Sequence, residues 1–155
     1  MHISQIQSFF LLAMRSGWAS NVAELRMPHM PGYKGISFHD GDFSLLDCYC
    51  VTPNSTKSFG TTTIWHKGIP VWVMQYGGHY DESVLGLLRR ALRKSYTADM
   101  FVGGRGPLVY AEDSLIYHNT PKRSDFALFS GREDIFDAEN GIMLGYHEYS
   151  GMSLL

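Results

Sequence analysis

The chain places a helical segment before a group of strand-like segments, and it does so twice. The first helical segment covers about 4–15, and the second begins with Asp81 as its predicted cap. Three strand-like runs follow each of them. Two such units would join into one antiparallel sheet with both helices on one face. The order therefore predicts a two-layer α+β fold, and 155 residues suit a single domain over 1–155.

Local signals set the expected boundaries of these segments. Ser4 and Gln7 match a capping box, Gly17 ends the first helix, and a Gly- and Pro-containing loop follows at 20–35. The strand-like runs are expected at 36–51 (with a turn at 40–42), 59–66, 70–76, 108–118, 129–136 and 141–147. The residues after 147 are expected to form a loose tail.

The two halves of the chain also resemble each other. Phe59 has a counterpart in Phe129, and Tyr76 has one in Tyr146, in each case 70 positions further on. A turn precedes the last strand of each half, at 67–68 and at 139–141. We interpret this as a duplicated helix-strand-strand-strand unit, with halves 1–78 and 79–149.

Composition excludes several classes of protein. The chain is 45% hydrophobic and 18% charged, which excludes a disordered polymer. No window reaches the roughly 18 apolar residues of a membrane span, and the first residues lack the features of a secretory signal. With a net charge of -2 there is no global field for nucleic acid. We expect a cytoplasmic protein with neither a membrane nor a nucleic-acid partner.

One basic cluster is present, at the end of the second helical segment. It consists of Arg89, Arg90, Arg93 and Lys94. Cations at a helix C-terminus stabilise the helix dipole, and we prefer that interpretation to a nucleic-acid surface.

Neither the cysteines nor the histidines indicate a metal site. Cys48 and Cys50 are two positions apart on a strand, which predicts small, reduced side chains on one face. The seven histidines form no HxH or HxxxH pair. The sequence therefore predicts no metal and no cofactor.

Aromatic strand residues and one glycine-rich loop indicate a ligand pocket. Trp72 and Tyr76 share a strand face, and with Tyr146 they would supply flat walls on which a ligand stacks. Arg105 lies in a loop with three glycines and a proline, where a guanidinium can hold an anionic group. The alternatives are a core face of paired aromatics and an Arg105 that pairs with a structural acid.

Glu133 and His147 complete the set of candidate ligand-binding residues, Trp72, Tyr76, Arg105, Glu133, Tyr146 and His147. A His-carboxylate group drawn from His147, Glu133 or Asp47 would also suit a hydrolase if these side chains shared a cleft. No nucleophile elbow and no Cys-His arrangement is present, so an enzyme is not the preferred interpretation.

Several of these residues carry a family resemblance. The most specific pieces are Pro-Val-Trp-x-Met-x-Tyr at 70–76 and Arg-Gly-Pro at 105–107, supported by 41–49, 129–133 and 146–147. The chain resembles a bacterial family, the domain of unknown function 5680. That resemblance implies an α+β domain of bacterial or phage origin, found alone or behind helix-turn-helix segments, and it implies no activity.

The leading hypothesis is a ligand-binding or sensor-type domain for a small anionic or aromatic molecule. The pocket would lie between the aromatic sheet face and the loop at 103–107. The alternatives are a protein-interaction or inhibitor module, for which a homodimer is one form, and a small-molecule hydrolase.

Overall fold

Nine strands form a single antiparallel sheet in the computed structural model, which describes residues 1–17 and 25–155. Two α-helices accompany it within those ranges, α1 (Ile3–Ser16) and α2 (Leu85–Thr97). The strands are β1 (Leu25–Arg26), β2 (Tyr33–Asp40), β3 (Phe43–Val51), β4 (Lys57–His66), β5 (Ile69–Tyr80), β6 (Val109–Glu112), β7 (Leu115–Asp125), β8 (Leu128–Asp137) and β9 (Met143–Ser153). The predicted α+β class with an antiparallel sheet is confirmed.

The last strand after each helix lies at the centre of the sheet. The strand order is β1-β2-β3-β4-β5-β9-β8-β7-β6, and every neighbouring pair is antiparallel. Consecutive strands therefore pair as hairpins on either side, and the β5–β9 pair joins the two sides. This arrangement brings β5 and β9, which are more than 60 residues apart in the sequence, together in the middle of the sheet.

Alternating burial divides the sheet into two faces. Trp72, Met74 and Tyr76 on β5 are buried, and we call the face that carries them and their cross-strand partners the inner face. The Trp72 ring lies 5.1 Å from the ring of Phe10 on α1 and 4.9 Å from that of Phe126. Phe10 in turn meets Tyr96 of α2, so both helices share a core with this face.

Aromatic rings cover glycines on the neighbouring strand at several points of the sheet. In each case the two residues are direct cross-strand partners, and a side chain in place of the glycine would collide with the ring. The pairs are Phe59–Gly77, Tyr76–Gly60, Tyr80–Gly145, Phe129–Gly151 and Tyr149–Gly131. The glycines allow large rings to lie flat on the sheet.

Several expected boundaries are wrong. The cap of α1 is at His2, whose backbone N–H donates to Gln5 Oε1 at 2.8 Å, and not at Ser4 with Gln7. The run expected at 108–118 contains the β6–β7 turn, where Asp113 takes a φ of 52°. The expected tail is the second half of β9.

Other boundaries agree with the prediction. Gly17 ends α1, Lys67 and Gly68 form the turn between β4 and β5, and the apolar stripe of α2 is buried. The predicted loop at 20–35 agrees only in part: residues 20–24 lie outside the described residues, and 25–26 and 33–35 belong to strands.

Three further observations bear on the expected class of protein. In the described ranges, neither helix is long and apolar enough to cross a membrane. Cys48 and Cys50 are free; Cys48 is buried and Cys50 is half-buried. Among residues 1–17 and 25–155 there is no group of three His, Cys, Asp or Glu side chains placed to hold a metal ion.

Candidate functional site

A row of polar residues crosses the centre of the inner face. The register pairs Ser58 with Gly78, Gly78 with His147, His147 with Glu133, and Glu133 with Asn119. Directly paired residues of antiparallel strands project from the same face, so four polar side chains line up over five strands. We call Ser58, His147, Glu133 and Asn119 the polar row.

Glu133 anchors the polar row through a buried ion pair. The side chain is fully buried, and Arg105 Nη2 donates to Glu133 Oε2 at 2.7 Å. The backbone N–H of Arg105 donates to Oε1 at 3.3 Å, and the hydroxyl of Tyr80 donates to Oε2 at 3.2 Å. Burial is the largest single influence on the pKa of Arg105 and lowers it, but the charge and hydrogen bond of Glu133, together with Tyr80 and Tyr96, outweigh burial and hold that pKa well above its usual value. Arg105 is therefore charged in the fold.

His147 is held neutral in a single tautomer. Arg105 Nη2 lies 3.1 Å from His147 Nδ1, and a guanidinium can only donate, so Nδ1 accepts. The proton is then on Nε2, which donates to Ser58 Oγ at 3.1 Å. Burial, followed by the positive charge of Arg105, lowers the pKa of His147 to about 2. In this tautomer His147 cannot accept a proton from Ser58, which argues against a serine hydrolase at this pair.

A second carboxylate lies on the same face, on β3. Asp47 is buried and accepts a hydrogen bond from Thr62 Oγ1 at 2.6 Å. It also accepts one bifurcated hydrogen bond from the Tyr76 hydroxyl, which lies 3.0 and 3.2 Å from the two carboxylate oxygens. The Arg105 guanidinium lies 4.7 Å from the centre of the Tyr76 ring. Tyr76 therefore connects the Asp47 carboxylate to the Arg105–Glu133 pair.

The loop that carries Arg105 is buried, not exposed. Asn119 Nδ2 donates to the carbonyls of Gly103 and Gly106 at 2.6 and 3.2 Å. The Tyr149 ring lies against Gly104, which has a φ of 79°. The glycines let this segment pass beneath tyrosine rings, and the loop fixes the position of the guanidinium.

A cavity of about 490 Å³ lies between α2 and this part of the sheet. Its floor contains Tyr76, Tyr80, Tyr96, Arg105 and His147, all of them buried. Its walls are partly apolar, from Val51, Leu85, Leu88 and Leu92. Its volume falls in the range of small-molecule sites. We call it the α2 cavity.

Two hydrogen-bonding groups of the floor have no hydrogen-bond partner among the described residues. The Tyr96 hydroxyl is buried without a hydrogen bond in the described part of the chain. Burial raises the pKa of Tyr96, so this hydroxyl is neutral and able to donate. Arg105 uses Nε and Nη2, and its Nη1 makes no hydrogen bond to any described residue.

The basic cluster of α2 divides between two surroundings. Arg89 and Arg93, one turn apart, line the α2 cavity. Arg90 instead donates to Glu112 on β6 at 2.8 Å, and Lys94 lies over the Tyr110 ring at 5.5 Å. Two of the four cationic residues thus line the rim of the cavity. The sequence had indicated only that the cluster stabilises the helix dipole.

The structure brings together four of the six candidate residues. Tyr76, Arg105, Glu133 and His147 contact one another at the floor. Trp72 is fully buried in the core, as in the core-face alternative, and it does not line the α2 cavity. Tyr146 lies on the outer face, where the Arg132 guanidinium is 4.1 Å from its ring.

The sequence interpretation missed Tyr96, Ser58 and Tyr80. Tyr96 had a signal, because it continues the series Leu88, Leu92 by one helical turn. Ser58 and Tyr80 had none, because their roles depend on the strand register and not on local pattern.

Comparison with known families decides what kind of chain this is. The family model described as domain of unknown function (DUF5680) matches residues 53–152. The chain belongs to the DUF5680 family. No curated protein and no solved structure matches it.

The DUF5680 match covers all of the floor of the α2 cavity. Tyr76, Tyr80, Tyr96, Arg105 and His147 lie within it, whereas Asp47 and the earlier piece at 41–49 precede it. Membership of this family does not define an activity, which depends on the geometry of the site.

Proposed function

We propose that the protein is a ligand-binding or sensor-type domain that holds one small organic molecule in the α2 cavity. The observation that carries the proposal is Tyr96, which lines a 490 Å³ cavity and whose buried hydroxyl has no hydrogen-bond partner in the described residues. A buried unsatisfied polar group costs about 1–3 kcal/mol. A ligand atom that accepts from Tyr96 would remove that cost on binding.

The composition of the walls supports the same proposal. Leu85, Leu88 and Leu92 offer apolar surface on α2, while Tyr96, from the last turn of α2, and Arg105, from the buried loop, offer hydrogen-bond donors. A mostly apolar concavity with a few fixed polar groups is the usual form of a small-molecule site. The floor is held by the Arg105–Glu133 pair and by Asn119, so little ordering would be required when a ligand enters.

We extend the proposal to the origin of the fold, a two-layer arrangement with duplicated halves 1–78 and 79–149. The mirrored strand order supports it, since β5 and β9 take equivalent central positions. The pairing Gly60–Tyr76 is matched by Gly131–Tyr149. This equivalence makes Tyr149, and not Tyr146, the counterpart of Tyr76, because Tyr146 projects from the outer face. A cytoplasmic location remains part of the proposal, supported by two free cysteines.

Thermal-shift screening against metabolites and nucleotides tests the proposed function. We expect ligands that raise the melting temperature of the wild type and of the control Ile69→Trp, at an exposed position away from the cavity. Leu85→Trp adds bulk at the half-exposed edge of the α2 cavity and should abolish that shift. A shift that survives in Leu85→Trp would contradict the proposal. Stable capture of a protein partner with no ligand response would favour the interaction module instead.

A further inference from the structure

We propose that the α2 cavity takes an organic anion in one orientation. Its uncharged, hydrogen-bond-accepting end lies on Tyr96 and Arg105 at the floor, and its anionic group stays at the mouth beside Lys57 and Arg89. This inference rests on the proposed function and specifies the class of ligand and the direction in which it enters.

The charge of the floor is already balanced. Glu133 lies 2.7 Å from Arg105, and both side chains are buried. Asp47 adds a second buried carboxylate on the same face, linked through Tyr76. An anion at the floor would lose its hydration and approach these two carboxylates, with one guanidinium already engaged. The floor therefore disfavours a charged group.

The floor nevertheless has hydrogen-bond donors to offer. The hydroxyls of Tyr76 and Tyr80 donate to Asp47 and Glu133, and His147 uses both ring nitrogens. Only the Tyr96 hydroxyl and Nη1 of Arg105 are left among the described polar groups of the floor. Both donate, so their complement is an acceptor without a full charge, such as a ketone, ester or amide oxygen.

The mouth has the opposite character. Its lining includes four cationic side chains, Lys34, Lys57, Arg89 and Arg93, and one carboxylate, Glu82. Lys57 and Arg89 are exposed and make no ion pair with a described carboxylate. An anion placed there keeps much of its hydration and gains from the local positive potential.

A matched pair of fluorescent probes tests the charged end. Anilinonaphthalene sulfonate is an aromatic anion, and phenylnaphthylamine is the same ring system without the sulfonate. We expect the anion to bind the wild type more tightly than the uncharged probe, in a salt-dependent way. Arg89→Gln and Lys57→Gln should each weaken the anion about two- to fivefold and leave the uncharged probe unchanged.

Two control variants separate this mouth from other cationic positions. Arg90→Gln removes the neighbouring arginine, which faces Glu112 and not the cavity. A second cavity, of about 660 Å³, lies on the outer face, and Lys57 borders both cavities. Lys122→Gln removes a lysine that lines the outer-face cavity and not the α2 cavity, which makes it a useful control. Neither control should change the dissociation constant of either probe.

A second pair of probes tests the uncharged end. The anions para-acetylphenylbutanoate and para-ethylphenylbutanoate differ only in the carbonyl at the end remote from the carboxylate. By calorimetry the acetyl compound should bind the wild type about fivefold or more tightly, and Tyr96→Phe should remove that preference. Tyr117→Phe changes a buried tyrosine that does not line the cavity and should preserve it.

The outcomes distinguish the two levels of the proposal. If neither fluorescent probe binds, or if Leu85→Trp leaves their binding unchanged, the proposed function itself fails. If Leu85→Trp abolishes binding but Arg89→Gln affects both fluorescent probes equally, only the orientation is overturned. A preference for the acetyl compound that persists in Tyr96→Phe likewise overturns the placement of the uncharged end.

Discussion

Two cavities lie on opposite faces of the same strands, and the smaller one is the better candidate for a ligand site. The cavity on the outer face measures about 660 Å³, against about 490 Å³ for the α2 cavity. On the outer face the Arg132 guanidinium pairs with two carboxylates, at 2.7 Å from Asp134 and 3.6 Å from Glu148. In the α2 cavity the buried Tyr96 hydroxyl has no described partner. Unused hydrogen-bonding capacity distinguishes the two cavities better than volume does.

The two faces should differ most in how much the free energy of unfolding falls when a carboxylate is replaced. Glu133→Gln leaves Arg105 buried without its counter-ion, and we expect a loss of about 3–5 kcal/mol in the free energy of unfolding. The control Glu148→Gln weakens an exposed pair with Arg132 and should cost far less. Urea denaturation at constant slope measures both. Equal losses would show that the inner-face pair is no more important than a surface one.

Acid should weaken the inner face through His147. Its pKa in the fold is about 2, against 6.5 ordinarily, so below pH 6.5 the unfolded chain takes up a proton that the folded chain does not. Stability contributed by neutral His147 is therefore lost as the pH falls from 6.5, by up to roughly 1.4 kcal/mol per pH unit. We expect His147→Gln, measured by urea denaturation at several pH values, to show a shallower decline. Parallel declines would contradict this role.

Replacing a glycine that lies beneath an aromatic ring should also cost different amounts of stability on the two faces. Gly60→Ala drives a methyl group into the Tyr76 ring, which is buried and held by Asp47, and should cost roughly 1–3 kcal/mol. Gly77→Ala meets Phe59 on the outer face, where the ring is 46% exposed and can move aside. We expect a smaller loss there, measured by thermal and urea unfolding. A larger loss for Gly77→Ala would refute the difference in rigidity.

The smallest effect should be at Tyr96. Tyr96→Phe removes an unpartnered hydroxyl, so the free energy of unfolding should stay constant or rise by up to about 1 kcal/mol. Tyr76→Phe, the matched change at a hydroxyl that donates to Asp47, should lower it by roughly 1–3 kcal/mol. A loss of stability in Tyr96→Phe would mean that the hydroxyl already has a partner in the free protein.

Much of the fold follows from local pattern. Alternation along β5 predicts that Trp72, Met74 and Tyr76 share a face, and helical spacing predicts the buried stripe of α2. The β6–β7 turn was not predicted because no glycine marks it. Asp113 adopts there the left-handed backbone conformation that glycine adopts in many turns. The second half of β9 was not predicted because its composition does not indicate a strand. It is a strand because it pairs with β5 on one side and with β8 on the other.

The site is less predictable because it depends on register. Charged residues at core-face positions, Asp47 and Glu133, were visible in the sequence as exceptions to the apolar pattern. Their partners were not, since Asp47 meets Tyr76 across two strands and Glu133 meets a loop 28 residues away. The glycines around Arg105 indicated a loop whose backbone approaches a ligand, whereas in the structure they fit the chain beneath Tyr149 and Tyr117.

The central position of β9 has a consequence for synthesis on the ribosome. Until residues 143–153 have been made, β5 has no neighbour on one side, and its row of backbone hydrogen-bonding groups remains open along with the buried side chains of Trp72 and Tyr76. The earlier hairpins can form as they emerge, but the sheet can close only after the final strand has been inserted between β5 and β8. A nascent chain of this topology has to be protected from aggregation until its last strand is available.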